Sequence, residues 1–326
     1  MPILPNTPIA NVVAGTPQAD TLNGTAAADL VVGGRGGDTL TAQDGGDIVF
    51  GGPGNDTIDA GGGPDSIAWV NGDGTDRVNG GGEVDTQVVE GNNDPAVAES
   101  FRLSATGTDA IFARISPNPF QITDTNVERI DLQAQGGNDT LSVQSLTGTP
   151  VDQVWFHGGE GNDTLNAQAS TVAIVADGEA GDDTLRGGTQ SDQLQGGQGN
   201  DLLSGGAGND WLVGGEGNDT VQGGQGSDVV EGNEGNDRLS GGAGADFFVI
   251  RAVEGEKTIL DFASGTDKIV LSNFSDGGTP ITFNDLTIDT SSGDSVIDLS
   301  NFLPQGQASL SVDGVTNLTA NDFVFL

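Results

Sequence analysis

A nine-residue repeat with one aspartate in each unit is the feature that most restricts the fold of this 326-residue chain. Between Gly178 and Val249, eight consecutive units carry aspartate at the sixth place and an apolar residue at the eighth place. So short and constant a period is typical of solenoids, in which each unit contacts only its neighbours along the axis. The aspartates are Asp183, Asp192, Asp201, Asp210, Asp219, Asp228, Asp237 and Asp246.

A second array lies nearer to the N-terminus and is less regular than the first. Its first two units lack the paired glycines, as terminal units of a solenoid often do. Two further units, with longer gaps around them, lie between the arrays and carry Asp139 and Asp163. The aspartates of the N-terminal array are Asp20, Asp29, Asp38, Asp47, Asp56 and Asp65.

The residue types within one unit predict a tight turn followed by a short strand. Glycine tolerates positive φ and close backbone approach, so the segment G-G-x-G-x-D can turn sharply with its carbonyl oxygens facing one point. The last three residues of the unit are extended, and their apolar middle residue points inward. Two units then form one coil of eighteen residues. The chain is therefore predicted to be all-β, a parallel β-roll or β-helix solenoid.

Aspartates eighteen residues apart are expected to form columns on the two sides of this roll. Neighbouring strands lie about 4.8 Å apart, and carboxylates at that spacing repel each other unless a cation lies between them. Carboxylate and carbonyl oxygens are the ligands that Ca²⁺ prefers, with about six to eight around each ion. We therefore predict Ca²⁺ ligation by the aspartates of both arrays and of the two intermediate units. Polar turns without metal are the alternative.

The charge of the chain restricts its partners. It has 48 acidic and 10 basic residues and a formal net charge of −38, so nucleic acid and anionic membranes are not expected to bind. There is no cysteine and one histidine, which excludes thiolate and histidine-based zinc sites. No stretch is long and apolar enough for a transmembrane segment. The N-terminus lacks the pattern of a cleaved signal peptide.

A search for catalytic motifs argues against an enzyme. One histidine does not suffice for an HExxH motif, and the sequence contains neither GxSxG nor a P-loop. The alternative is an extracellular polysaccharide-modifying enzyme with its carboxylates in residues 98–157. Such an enzyme would gather Arg102, Arg114 and Arg129 with acidic residues around a cleft. Scattered and exposed charges would favour a binding protein instead.

The pattern G-G-x-G-x-D-x-U-x, with U apolar, resembles the hemolysin-type repeats of the RTX family. The resemblance implies the same calcium-binding β-roll. We therefore expect a secreted or surface-associated protein with a structural or matrix role, whose roll folds on binding extracellular Ca²⁺. Its partners would be cell-surface polysaccharide or protein. The stretches GGAGADFFV and DFASGTDKIVLS and the final DFVFL resemble the C-terminal cap of such proteins. That similarity implies an uncleaved C-terminal signal read by type I secretion machinery.

These patterns predict four segments and one covered surface. Residues 1–97 form N-terminal repeats, 98–133 a bridging β segment, 134–249 the main roll, and 250–326 an antiparallel β cap with the export signal. The seventh place of each unit points outward, yet three units of one sheet carry apolar residues there. We expect residues 256–326 to fold back over this stripe, or a partner protein to cover it. The stripe consists of Trp211, Val229 and Phe247.

Overall fold

The computed structural model describes residues 8–70, 72–253, 255–276, 279–303 and 308–326. The chain forms two compact units, Met1–Val175 and Ala176–Leu326. The described residues form strands and turns almost throughout, which confirms the all-β prediction. No helix among them is long and apolar enough to cross a membrane.

The first unit contains two sheets of mainly parallel strands. The strands are β1 (Asn11–Ala14), β2 (Thr21–Asn23), β3 (Asp29–Val32), β4 (Thr39–Thr41), β5 (Ile48–Phe50), β6 (Thr57–Gly62), β7 (Ser66–Trp69), β8 (Asp76–Gly82), β9 (Thr86–Glu90), β10 (Ser100–Thr106), β11 (Asp109–Ser116), β12 (Phe120–Thr125), β13 (Arg129–Gln133), β14 (Thr140–Val143), β15 (Gln153–Glu160) and β16 (Thr164–Asn166). One sheet has the order β1-β3-β5-β7-β9-β13-β15, and the other has the order β2-β4-β6-β8-β12-β11-β10-β14-β16.

The strand register of the first unit has the eighteen-residue period expected from two repeats per coil. Leu22 pairs with Leu40, and Leu40 pairs with Ile58. After a two-residue insertion the step becomes twenty, so that Ile58 pairs with Val78. These eighth-place side chains point inward, and the pairing confirms the predicted parallel roll.

Residues 98–133 join the repeats that precede and follow them in the first unit. Strand β13 lies between β9 and β15 and pairs in parallel with both. Strand β12 pairs in parallel with β8, and β10 pairs in parallel with β14. Between them, β11 runs antiparallel to both β10 and β12. The segment thus continues both sheets and adds one antiparallel strand to one of them.

The second unit repeats the arrangement with more regular coils. One sheet has the order β19-β21-β23-β25-β27-β33, and the other has the order β18-β20-β22-β24-β26-β32-β31-β30. Strand β17 (Ala173–Ala180) contains the division between the units. The other strands are β18 (Thr184–Arg186), β19 (Gln193–Gln198), β20 (Leu202–Ala207), β21 (Trp211–Glu216), β22 (Thr220–Gln225), β23 (Val229–Glu234), β24 (Asp237–Ala243), β25 (Phe247–Arg251), β26 (Gly255–Ile259), β27 (Lys268–Ser272), β28 (Ser275–Asp276), β29 (Thr279–Pro280), β30 (Ile288–Asp289), β31 (Ser295–Asp298), β32 (Ala308–Val312) and β33 (Phe323–Phe325), with short 3₁₀ helices at Phe283–Asp285, Ser300–Phe302 and Ala320–Asp322.

The C-terminal strands extend the roll of the second unit along its axis. Strand β26 pairs in parallel with β24 and β32, and β27 pairs in parallel with β25 and β33. The expected antiparallel cap is present where β31 pairs with β30 and β32. The C-terminus therefore occupies the open edge of each sheet, where unpaired main-chain groups need partners.

The prediction that residues 256–326 cover the apolar stripe is wrong. Trp211 is 51% exposed and Phe247 is 41% exposed. The C-terminal strands pair with strand edges rather than pack on the outer face of the sheet. Unpaired main-chain N–H and C=O groups along a strand edge need hydrogen-bond partners, which favours strand pairing over packing on the outer face.

One carboxylate lies in the apolar core of the first unit. Asp124 pairs in register with Val78, whose side chain belongs to an inward column. It is 1% exposed, and neither of its oxygens accepts a hydrogen bond from any described residue. Burial, followed by the nearby Asp76, raises the pKa of Asp124 well above its usual range.

Replacing this carboxylate with an apolar side chain should stabilise the first unit. Asp124→Leu removes an unsatisfied buried group and continues the column of Val78, so the local free energy of unfolding should rise by about 1–3 kcal/mol. Hydrogen exchange of first-unit peptides in calcium at pH 8 measures this change. Gln121→Leu, at an exposed position of the same strand, should change it by less than about 0.5 kcal/mol. A loss of stability in Asp124→Leu would mean that Asp124 holds a ligand.

Candidate metal centre

The sixth-place aspartates of the second unit form two buried columns. The main-chain N–H of each aspartate donates a hydrogen bond to Oδ1 of the aspartate one coil later. In one column this bond is 2.8 Å from Asp183 to Asp201 and 2.9 Å from Asp201 to Asp219. The carboxylates are thus stacked by the strand register. The column steps are Asp183–Asp201–Asp219–Asp237 and Asp192–Asp210–Asp228–Asp246–Asp267. The last of these, Asp267, lies after the final repeat and was not among the predicted ligands.

The first unit has three columns built by the same hydrogen bond. Two of them run through the N-terminal array, and the third contains the two intermediate aspartates. They reach four acidic residues that were not among the predicted ligands, namely Asp76, Asp85, Glu99 and Glu128. The nine-residue count points to Asp76 and Asp85 once the insertion is allowed for, whereas nothing in the repeat points to Glu99. The columns are Asp20–Asp38–Asp56–Asp76, Asp29–Asp47–Asp65–Asp85–Glu128 and Glu99–Asp139–Asp163.

Most of these aspartates have a second oxygen, Oδ2, that is buried and accepts no hydrogen bond from any described residue. We call them the open aspartates. A buried carboxylate oxygen without a donor is costly, and native structures usually supply a partner or an ion. The open aspartates are Asp38, Asp47, Asp56, Asp65, Asp85, Asp139, Asp201, Asp210, Asp219, Asp228 and Asp246.

Three predicted ligands differ, and we call them the closed aspartates. In each, Oδ2 accepts a hydrogen bond from the main-chain N–H of the residue four positions earlier, which is the second place of the same unit. In two of them a threonine hydroxyl at that place donates as well. Their metal ligation remains a prediction. The pairs are Asp20 with Thr16 at 2.6 Å, Asp29 with Thr25 at 2.5 Å, and Asp192 with Gly188 at 2.6 Å.

The sign of φ at the second place separates the two classes. The second-place residue of every open aspartate has positive φ, whereas Thr16, Thr25 and Gly188 are not among the described residues with positive φ. The turn conformation therefore decides whether the second-place N–H reaches the carboxylate. The second-place residues of the open class are Gly34, Gln43, Gly52, Gly61, Gly81, Gln135, Gly197, Gly206, Gly215, Gly224 and Gly242.

Main-chain carbonyl oxygens of successive turns crowd the same columns. A Cβ atom on Gly215, at φ +124°, would collide with the carbonyl oxygen of Gly197, and one on Gly217 would collide with that of Gly199. Among the described residues, no three His, Cys, Asp or Glu side chains are grouped closely enough to hold a metal ion. An ion here would therefore need carbonyl oxygens beside the open carboxylates. Such an all-oxygen donor set suits Ca²⁺.

Burial makes the ionised columns costly without a cation. Desolvation, followed by the charges of neighbouring aspartates, raises the pKa of Asp219 and Asp65 to about 7. Desolvation also raises the pKa of Asp210 and Asp228 to about 6. A cation between the carboxylates would favour their ionised form and remove this cost.

Comparison with known proteins agrees with this geometry. The family described as RTX calcium-binding nonapeptide repeat (4 copies) matches residues 8–40, 33–67, 155–170, 177–212 and 213–248. Within these ranges the chain carries RTX repeats. These ranges include most of the columns, and the resemblance found in the sequence is confirmed for them. The matched ranges do not include Asp139. They end at residue 248, shortly after Asp246, so the C-terminal strands lie beyond them.

Two solved structures are similar to this chain. One is the solution structure of the AlgE6R3 subunit of the Azotobacter vinelandii mannuronan C5-epimerase, with 27% identity over 44% of this chain and 77% of that chain, and a TM-score of 0.29. The other is the extracellular lipase LipA of Serratia marcescens, with 16% identity and a TM-score of 0.27. The match covers 93% of this chain and 40% of the lipase. No curated protein sequence matches the chain.

Proposed function

We propose that this chain is an extracellular calcium-binding protein whose RTX rolls fold when Ca²⁺ binds. The observation that carries the proposal is the set of buried Oδ2 atoms in the open aspartates, which accept no hydrogen bond from the described residues. The open aspartates and the stacked carbonyl oxygens would hold the ions. Bound calcium supplies the positive charge that lets these carboxylates stay ionised inside the columns.

Charge and mass action support calcium-linked folding. A net charge of −38 opposes compaction until cations neutralise it. Extracellular calcium modules bind with dissociation constants of about 10⁻⁴ to 10⁻³ M. An ion that binds only the folded form stabilises it by about 1.4 kcal/mol per site at ten times the dissociation constant. Several sites together therefore suffice to drive folding of a marginal roll.

Circular dichroism of the metal-stripped protein tests this function. At pH 7.5 the stripped chain should lack most of its β signal, and millimolar CaCl₂ should restore it. MgCl₂ at equal concentration is the matched control and should restore much less, because Mg²⁺ demands stricter octahedral geometry. A full β signal after removal of divalent ions would refute calcium-linked folding.

A structural, surface or matrix role outside the cell belongs to the same proposal. Low cytosolic calcium would leave the chain unfolded for export, and the type I secretion machinery would read the C-terminal segment. Cell-surface polysaccharide or protein would be its partner. Export into medium by a host with and without a type I exporter tests this part, and equal export in both would contradict it.

The proposal assigns no catalytic activity to the chain. Arg114 donates to Glu99 and to the carbonyl oxygen of Asn118, and it is buried. Arg129 lies with its guanidinium carbon 5.6 Å from the centre of the Trp155 ring, and Arg102 is exposed. The three arginines thus have different surroundings and do not gather around one cleft, which supports a binding role over a catalytic one. Turnover of an acidic polysaccharide by the calcium-loaded chain would contradict this proposal.

A further inference from the structure

A lysine occupies the aspartate position of one coil in the second unit. Strand β26 pairs with β24 so that Lys257 stands in register with Asp237, the last aspartate of its column. Two described residues of the turn before it have the geometry of a repeat. Gly255 has φ +114° at the fourth place, and the N–H of Glu256 donates to Oδ1 of Asn236 at 2.8 Å. Lys257 therefore replaces the sixth-place aspartate in a coil that otherwise continues the roll.

The lysine side chain turns toward the preceding coil and makes contacts that suit a cation site. Lys257 Nζ donates a 2.6 Å hydrogen bond to the carbonyl oxygen of Gly235. It also lies 3.3 Å from Oδ2 of Asp237. Lys257 and Asp237 are both almost fully buried. One carboxylate oxygen and one main-chain carbonyl oxygen of the repeat turn thus face the ammonium.

These contacts are the donor types that the open aspartates present to an ion elsewhere in the column. We propose that Lys257 is a built-in cation that ends this column, its ammonium standing where the next calcium ion would otherwise bind. The ammonium neutralises Asp237 without any metal, and no further aspartate follows in register to share an ion. This inference rests on the proposed calcium binding, and it adds the residue that limits the number of ions on this side of the roll.

The first unit ends one of its columns in a similar way. Glu99 stands next to Asp139 in register, and its Oε1 accepts a 2.6 Å hydrogen bond from Nη1 of Arg114. Both side chains of this ion pair are buried. A basic side chain thus meets the carboxylate at one end of a column in each unit, the first carboxylate (Glu99) in the first unit and the last (Asp237) in the second. The repetition in two separate places, with different residues, favours a shared electrostatic purpose over an incidental contact.

Counting calcium ions in Lys257→Asp tests the inference. The substitution restores an aspartate to the register, so two carboxylates and the carbonyl oxygens of two turns would face each other. Native mass spectrometry of the full chain in saturating calcium should find one more ion per chain than in the unsubstituted protein. Arg238→Asp is the matched control. It makes the same charge change at an exposed position next to Asp237, so it should leave the ion count unchanged.

The outcomes distinguish this inference from the proposed function. If the unsubstituted chain binds no calcium, the proposed function fails. If it binds calcium and Lys257→Asp folds with the same count, the built-in cation is refuted while calcium binding stands. An equal gain in Arg238→Asp would also refute it, because the extra ion would then reflect surface charge.

A second variant covers the case in which Lys257→Asp does not fold. Lys257→Met keeps the length of the side chain and removes its charge, so it leaves the buried carboxyl group of Asp237 without a counterion. In calcium, hydrogen exchange of the amides in β24 and β26 should become at least tenfold faster, and the ion count should not rise above that of the unsubstituted chain. Unchanged exchange in Lys257→Met would show that the ammonium is not needed at the column end and would overturn the proposal.

Discussion

Stripped of divalent ions, the chain should keep its rolls near pH 4 and lose them by about pH 7.5. The cause is the raised pKa of the column aspartates, about 7 for Asp219 and about 6 for Asp210, against about 3.9 for an unfolded chain. A folded pKa above the unfolded value means that the unfolded state binds fewer protons between the two. The stabilisation that these aspartates contribute is therefore fully present below about pH 4 and decreases between pH 4 and 7. It stays lost at higher pH.

Thermal unfolding by circular dichroism from pH 4 to 8 measures this dependence. Chelators bind calcium poorly in acid, so the ions have to be removed beforehand. The protein should be dilute, because its isoelectric point is about 4.1. Saturating calcium is the control and should reverse the trend, since protons then compete with the ions for the same carboxylates. Equal stability of the stripped protein at pH 4 and pH 8 would contradict the raised pKa values.

The register of the columns could be predicted because it follows from counting alone. When every coil contains two nine-residue units, aspartates eighteen apart become neighbours regardless of the other residues. The predicted stacking of Asp201 and Asp219 is therefore confirmed by the hydrogen bond between them. The two-residue insertion before Asp76 did not break the column, because the loop absorbs the extra residues and Asp76 still accepts the N–H of Asp56.

The difference between open and closed aspartates could not be predicted from the sixth place, because it depends on φ at the second place. The sequence carries a partial signal for it. All three closed units lack glycine at the fourth place, where they have Gln18, Ala27 and Gln190. The signal is incomplete, because the unit of the open Asp85 also lacks glycine at the fourth place and has Glu83 there. Glu83 adopts φ +77° there, a conformation that glycine reaches at lower cost.

The ends of the columns escaped prediction for a different reason. A periodic pattern states what each coil shares, whereas an end is where one residue departs from the pattern. Lys257 reads as an ordinary charge in the sequence, and only the pairing of β26 with β24 shows that it replaces an aspartate. The predicted cover of the apolar stripe is wrong for a related reason. The free strand edges, which the sequence pattern does not show, pair with the C-terminal strands instead.

Asparagine at an open and at a closed position of one column should have unequal effects on calcium binding. In Asp210→Asn, the amide can still accept the N–H of Asp192 but loses the charge of the buried Oδ2. We expect at least one ion fewer per chain and a several-fold rise in the calcium concentration needed for folding. In Asp192→Asn, the amide oxygen can still accept the N–H of Gly188, so the ion count should not change.

The comparison is sharp because both substitutions remove one charge from the same column at adjacent steps. The change in net charge is therefore the same in both variants, and the state of Oδ2 separates the two positions. Native mass spectrometry gives the ion count, and circular dichroism against calcium concentration gives the folding midpoint. Loss of an ion in both variants would mean that the turn at Asp192 rearranges to bind metal. Loss in Asp192→Asn alone would overturn the assignment of open aspartates as the ligands, since the carboxylate that already has a donor would then be the one that calcium requires.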